Sequence, residues 1–456
     1  MIFARIFLSI IFLCITSSCS AQEQKPNIIF IFADDWGWGD LGVHGSEIYQ
    51  TPNIDQLAAQ GTDFYNFSVN SPVCSPSRTA VMTGHFPERH NVSEHFATIK
   101  HHERANMGDW LDPNAPSLPR ILNQAGYATG HFGKWHLTNV QIKDAPLPPQ
   151  YGYDEFGAFN LPGDNMPPAE TADRVIDFIS RHKDQPFFVN MWIHETHTPH
   201  YPEPKIMKEF GHLSEQQMVY ASILAAGDRD VGRVMDTLDD LGLTANTLVI
   251  FSSDNGPESP TDQKYMDDDS TGPGFGRYYS IGETGGLKGQ KRSLYAGGVR
   301  VPFIVRWPGV TTAGAKDHGA VITAVDLLPT LVDIAGASLP EGYKPDGQNM
   351  RKALENKEFK RSKSIYWVWP PGVTAQTAEN PTWPQFGIQS GKWKLLVNDS
   401  LNKVELYDAE ADWYERTDLS DEYPDVVEQM RSEFESLRSQ FPVAPDESTF
   451  SSLRRK

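Results

Sequence analysis

The chain has 456 residues, 39% apolar and 22% charged, with a formal net charge of −19. This is ordinary globular composition, enough for one large domain and a smaller one. The acidic balance excludes nucleic acid and anionic membrane surfaces as general partners, and it admits an anionic substrate only where local cations or a metal offset the field of the whole chain.

The first residues stand apart. Arg5 precedes the apolar run IFLSIIFLCI (residues 6–15), and small residues TSSCSAQ follow. That order of parts is an export leader, and the run is too short to span a bilayer. Cleavage after Ala21 would release a soluble protein, whereas cleavage before Cys19, where TSSC resembles a bacterial lipobox, would give a lipoprotein anchored at Cys19. Either product is exported: periplasmic, secreted or anchored to the outer membrane of a bacterium. Of three cysteines, Cys14 leaves with the leader and Cys19 is lost or lipidated. Exported proteins usually hold cysteines in pairs, so the lone Cys74 is either a small buried hydrophobe or a functional thiol.

After the leader, PNIIFIFADDWGWGD opens with a buried strand that ends at Asp34-Asp35. TPNIDQLAAQG predicts a helix with Asn53 as N-cap and Gly61 as its stop. DFYNFSV alternates like a strand and leads to Cys74, and SRTAVMTG reads as a short helix just beyond it. SLPRILNQAG predicts a helix, YATGHF a strand ending in GKWH, TADRVIDFISRH a helix, and PFFVNMWI a strand ending in HETHTPH. A helical pattern over 214–241 leads to the strand TLVIFSSDNG, then a long loop over 256–286, one more strand (VPFIVRWPG) and one more helix (TAVDLLPTLVDIAG). Alternating strands and helices with polar residues at each strand exit predict a doubly wound sheet. Beyond about residue 345, short strands SIYWVW, FGIQSG, WKLLV and VELYD and a helix over 425–440 predict a small antiparallel sheet with one helix.

The polar exits carry the chemistry. Asp34-Asp35, the Cys74 loop, Lys134 with His136, and Asp254-Asn255 all fall at strand ends, where α/β sheets place their ligands. Each has a local reading: an aspartate after a strand caps a helix, and DNG is a common turn. Together, three carboxylates and an amide suit a hard divalent cation.

The run CSPSR, Cys74 to Arg78, matches the C-x-P-x-R signature of the type I, formylglycine-dependent sulfatases of the alkaline phosphatase superfamily. The chain resembles that family over nearly all its mature length, through PNIIFIFADDWGWGD, CSPSRTAVMTG, AGYATGHFGKWHL, SSDNG, GGVRVPFIVRWPG and ELYD. The resemblance implies an alkaline-phosphatase-like α/β sandwich. Its large central mixed, mostly parallel sheet is flanked by helices and followed by a smaller C-terminal α+β subdomain with an antiparallel sheet. The expected division is leader 1–21, catalytic domain 22–350 and C-terminal subdomain 351–456.

The resemblance also implies the chemistry. Cys74 would be oxidised to Cα-formylglycine (3-oxoalanine) by a maturating enzyme, a transient partner that reads Pro76 and Arg78. One hydroxyl of the aldehyde hydrate would attack sulfur, and the other would expel sulfate, a route closed to serine. Asp34, Asp35, Asp254 and Asn255 would hold one calcium ion with residue 74. Arg78 would fix the hydrate and the carboxylates, Lys134 and His136 would contact sulfate, with His136 the releasing base, and His197 would be the general acid. Lys291, preferred to Lys288 by spacing, would be the last cation. Arg292 and Ala296 depart from the family's usual glycine and glutamate.

Sulfated glycans are the expected substrates, with aromatic and polar side chains at the sugar. Candidate contacts are His194, His200, Trp36, His101 and His102, with the loop over 264–279 and the segment over 366–386 as further candidates. Two other readings are a phosphonate or phosphodiester hydrolase of the same superfamily and a catalytically silent glycan-binding protein.

Overall fold

A computed structural model of the protein describes residues 25–266, 273–369 and 383–454. The leader with Cys14 and Cys19 lies outside the described residues, as do parts of the two candidate sugar-binding segments. Among the described residues, no helix is long and apolar enough to cross a membrane.

The strands in chain order are β1 (Asn27–Ala33), β2 (Thr62–Phe64), β3 (Phe67–Ser68), β4 (Ala128–Lys134), β5 (Glu155–Phe159), β6 (Phe187–Trp192), β7 (Thr247–Ser253), β8 (Tyr265–Met266), β9 (Gly274–Phe275), β10 (Phe303–Arg306), β11 (Ala315–Asp317), β12 (Ile322–Thr323), β13 (Ile365–Val368), β14 (Phe386–Ser390), β15 (Trp393–Val397) and β16 (Val404–Asp408). Eight form the main sheet in the order β11-β2-β10-β7-β1-β6-β4-β5. Its pairings are parallel except at β10, which runs against both β7 and β2. β13 to β16 form the separate antiparallel sheet, in sequence order.

The continuous apolar run of β1 has a simple cause: both its faces are covered. Ile28, Phe30 and Phe32 enter one core, and Ile29, Ile31 and Ala33 enter the other. The second core is covered by helix α1 (Pro52–Gln60) and the helices Thr171–His182 and Glu215–Asp240. The first is covered by helix α2 (Cys74–Thr83) and the helix Leu327–Ile334, and it runs on into the antiparallel sheet and the helix Pro424–Arg438.

Two sequence expectations change. Thr51, not Asn53, flanks the start of α1, because Pro52 occupies the first helical position, where its fixed φ and missing N–H cost nothing. Asn53 instead donates through Nδ2 to Asp228 (2.7 Å). The long loop after β7 contains a short ribbon, β8 paired with β9.

The sheet registers bring the site together. β1 and β7 pair in parallel with Ala33 opposite Ser253, so Asp34-Asp35 and Asp254-Asn255 leave side by side. β6 lies on the other side of β1, with β4 beyond it. Gly133, just before Lys134, has φ +110°, and a Cβ there would lie 2.0 Å from the Trp192 carbonyl oxygen of β6. Gly133→Ala is therefore expected to destabilise the protein by roughly 2–4 kcal/mol in urea unfolding, because fixed backbone stands in the way.

Candidate active site

Asp34, Asp35, Cys74, Arg78, Asp254 and Asn255 are all buried. Asp34 is the hub. Its Oδ2 accepts from Lys134 Nζ (2.6 Å) and lies 3.1 Å from His194 Nδ1, while its Oδ1 lies 3.5 Å from both Cys74 Sγ and Arg78 Nη2. Burial works to raise the Asp34 carboxyl, but His197, Lys134, His194 and Arg78 outweigh it and hold the group well below the usual carboxylate range.

Asp35 stands in the left-handed region (φ 64°), which asparagine and aspartate tolerate best. It accepts from Asn255 Nδ2 (2.7 Å) and Lys291 Nζ (2.6 Å). Asp254 takes both Nε (3.1 Å) and Nη2 (2.6 Å) of Arg78 on one oxygen. Arg78 Nη1 donates to the Lys134 carbonyl (3.2 Å), and its guanidinium lies 4.9 Å from the Trp192 ring centroid. Burial raises both Asp35 and Asp254, the latter to about 7, against the pull of Lys291 and Arg78 respectively.

Cys74 opens α2, with Lys134 Nζ 3.7 Å from its Sγ. Burial and then Asp254 push the thiol up, so it remains protonated rather than a thiolate. One oxygen each of Asp34 and Asp35, Cys74 Sγ and one His197 nitrogen lie within 4.8 Å of one another. The Asn255 Oδ1 atom is buried without a hydrogen-bond partner, and such an atom beside three carboxylates suits a hard cation.

Two histidines face this centre with defined protons. His136 (φ 53°) has Nε2 3.0 Å from the Phe96 carbonyl, while its Nδ1 is buried without a partner. A carbonyl only accepts, so Nε2 carries the proton and Nδ1 the lone pair. By the same reasoning, His197 Nδ1, 2.6 Å from the Thr198 carbonyl, is the donor and leaves Nε2 for proton exchange. Burial lowers both rings well below the ordinary imidazole value.

The chain matches the sulfatase family model over residues 26–337, and the model for the N-sulphoglucosamine sulphohydrolase C-terminal region over 282–440. The protein belongs to the sulfatase family. It is a sulfuric ester hydrolase of the alkaline phosphatase superfamily. An N-acetylgalactosamine-6-O-sulfatase of Bacteroides thetaiotaomicron is 27% identical, over 92% of this chain and 94% of the relative. Human arylsulfatase A is 31% identical over 82% of this chain and 75% of the relative. The solved structure of Ps i-CgsB in complex with k-i-k-neocarrahexaose superposes with a TM-score of 0.75 at 27% identity, covering 93% of this chain and 96% of that one.

Within this sulfatase, Lys291 reaches Asp35, whereas Lys288 donates to the Tyr407 hydroxyl (2.8 Å). Arg292, where the family usually has glycine, takes the left-handed conformation that favours glycine (φ 67°) and donates to Glu258 (2.5 and 2.7 Å). Where Ala296 replaces the usual glutamate, a carboxylate arrives from elsewhere. Glu415 accepts from the Ala296 N–H (2.7 Å) and from Lys394 Nζ (2.6 Å), and Lys394 also donates to the Leu294 carbonyl (2.8 Å). Sequence reading missed Glu415, because nothing local to it points back over 119 positions.

Three of the candidate sugar contacts are turned inward. Trp36 and His200 are fully buried, Trp36 packing against Phe251 and His200 bonded to Ser280 Oγ (3.0 Å). His102 has both ring nitrogens engaged, by Asp109 Oδ1 and the Ala97 N–H (2.7 Å each). His194 sits on Asp34, and only His101 is brought near His136, through His95.

Arg78→Ala would strand Asp254 without its cation, and its expected cost is about 3–5 kcal/mol in urea unfolding, with activity lost. Glu415→Ala is expected to cost roughly 2–3 kcal/mol and to lower kcat/KM through the Lys291 loop. Glu415→Gln, which still offers an oxygen to the Ala296 N–H, should recover much of both.

Proposed function

We propose that the protein is an exported sulfatase that removes sulfate esters from sulfated sugars, using a Cα-formylglycine made from Cys74 and one calcium ion. The observation that carries this reading is the setting of Cys74: a neutral thiol at the start of a helix, between Lys134 and Asp34. The lysines favour a thiolate, but burial and Asp254 outweigh them, so the unmodified thiol is a poor nucleophile.

Asp34, Asp35, Asp254 and Asn255 would hold the calcium together with residue 74. When bound, the ion with the hydrated aldehyde would supply a charge-stabilised, activated hydroxyl pair at neutral pH. The protein's own side chains do the rest. Arg78 fixes the orientation of Asp254. Lys134 and Lys291, buried and held protonated by Asp34 and Asp35 against the cost of burial, meet the sulfate oxygens. His136 takes a proton at Nδ1, and His197 delivers one from Nε2 to the leaving oxygen. An anionic ester entering beside His197 raises its proton affinity from the low value of the empty site, so protonation follows substrate binding.

The sugar assignment is supported by what the similar proteins are named for: an N-acetylgalactosamine-6-O-sulfatase, and Ps i-CgsB solved in complex with k-i-k-neocarrahexaose. Export is supported by the leader pattern, with maturation ending after Ala21 or before a lipidated Cys19. The catalytic unit is assigned to 22–350 and the C-terminal subdomain to 351–456, supported by the change to the antiparallel sheet from β13 onward.

The test is sulfate release from a panel of sulfated mono- and oligosaccharides, with the state of residue 74 read by peptide mass. Release is expected from one glycan class and absent in Cys74→Ala and after calcium chelation. His197→Ala should lower kcat by about 10²–10⁴-fold. Phosphate release from phosphonate or phosphodiester substrates exceeding sulfate release would replace this reading.

A further inference from the structure

A second group of side chains lies outside the centre just described. Helix Ile99–Ala105 carries His101, and the loop before it carries Glu94 and His95. One ligand atom from each lies within 4.8 Å of the others. Glu94 Oε2 is 3.0 Å from His95 Nδ1 and 3.9 Å from His101 Nε2. The loop is pinned to α2 on one side and to the segment after β4 on the other. The Phe96 N–H donates to Ser75 Oγ (3.0 Å), beside Cys74, and the Phe96 carbonyl receives His136 and Asn139 (3.0 and 3.2 Å).

An ordinary ion pair explains only part of this. It would account for Glu94 and His95 and leave His101 Nε2 without a hydrogen-bond partner, although His101 is only 7% exposed. A buried polar nitrogen without a partner is costly. An anionic ligand does not fit, because the Glu94 carboxylate already lies beside one nitrogen of each ring. A cation does fit. Bonds of 2.0–2.2 Å in tetrahedral array put ligand atoms about 3.3 Å apart, between the two distances observed here. Two imidazoles and one carboxylate are a donor set for a borderline ion rather than for calcium, and three ligands leave one position open.

We propose that Glu94, His95 and His101 form a second metal site, distinct from the Asp34–Asp35–Asp254–Asn255 set, that takes a borderline divalent cation, zinc above all. His95, 31% exposed at its side chain, provides the way in. Its ring centroid is 6.3 Å from that of His136, so the ion would add positive charge beside the centre proposed to serve an anionic ester.

The test uses the full chain in buffer with excess calcium, so that hard-cation ligands are occupied. Crystals soaked in zinc chloride are expected to give an anomalous peak at the zinc edge in contact with Glu94, His95 and His101. No peak there, or a peak only at Asp34 and Asp35, overturns the proposal. Calorimetric titration of zinc in the same buffer should show one site that His101→Ala weakens by more than the roughly 10–100-fold cost of losing an outer partner. Glu94→Gln should weaken it likewise, and unchanged zinc affinity in folded variants also overturns it. If a variant does not fold, the soak of the unaltered protein still decides.

Discussion

Three carboxylates buried within one site set the terms for everything around them. β1 and β7 run in parallel and in register, so the residues after Ala33 and Ser253 leave the sheet together. That delivers Asp34, Asp35 and Asp254 to one place without solvent to spread their charge. A buried charge without a partner costs several kcal/mol, so cations must come from elsewhere in the chain. Arg78 comes from α2, Lys134 from the end of β4, and Lys291 from the segment ahead of β10. The docking of α2, the glycine before Lys134 and the anchoring of the 291–296 segment all follow from this demand. The left-handed residues Asp35, His136 and Arg292 lie in the same small region, where the surroundings hold backbone that elsewhere would relax.

Glu415 shows how the smaller sheet enters this balance. Its carboxylate and Lys394 of β15 grip the backbone at Leu294 and Ala296, three and five residues from Lys291. The first core extends without a break from β1 into β13 to β16. Catalytic geometry and C-terminal packing are thus one mechanical unit.

Much of this was legible in the sequence. A parallel strand covered on both faces must be apolar throughout, which made β1, β6 and β7 plain, and ligand-bearing residues at strand exits follow from the same architecture. The helix Thr171–His182 was read to the residue, since its apolar face repeats with helical period. Less legible were features set by distant partners. The burial of Trp36, His102 and His200 depends on Phe251, Asp109 and Ser280, none of which the local pattern announces. β5 is a short edge strand with Phe156 exposed and a glycine at its middle, too weak a signal to stand alone. The order of the strands is written in pairings between segments far apart, and no local periodicity contains it.

The five residues Cys74 to Arg78 are all buried, and Arg78 is completely enclosed. Any enzyme that oxidises Cys74 by reading Pro76 and Arg78 needs that stretch pulled out as an open strand, which the folded protein does not offer. On the proposed formylglycine chemistry, conversion would therefore be a matter of timing. It would belong to the interval between synthesis and closure of the sheet, and a chain that folds first would be locked out of that maturation. The fraction of active protein in a preparation then reflects a race between oxidation and folding, and slowing the second should raise the yield of the first.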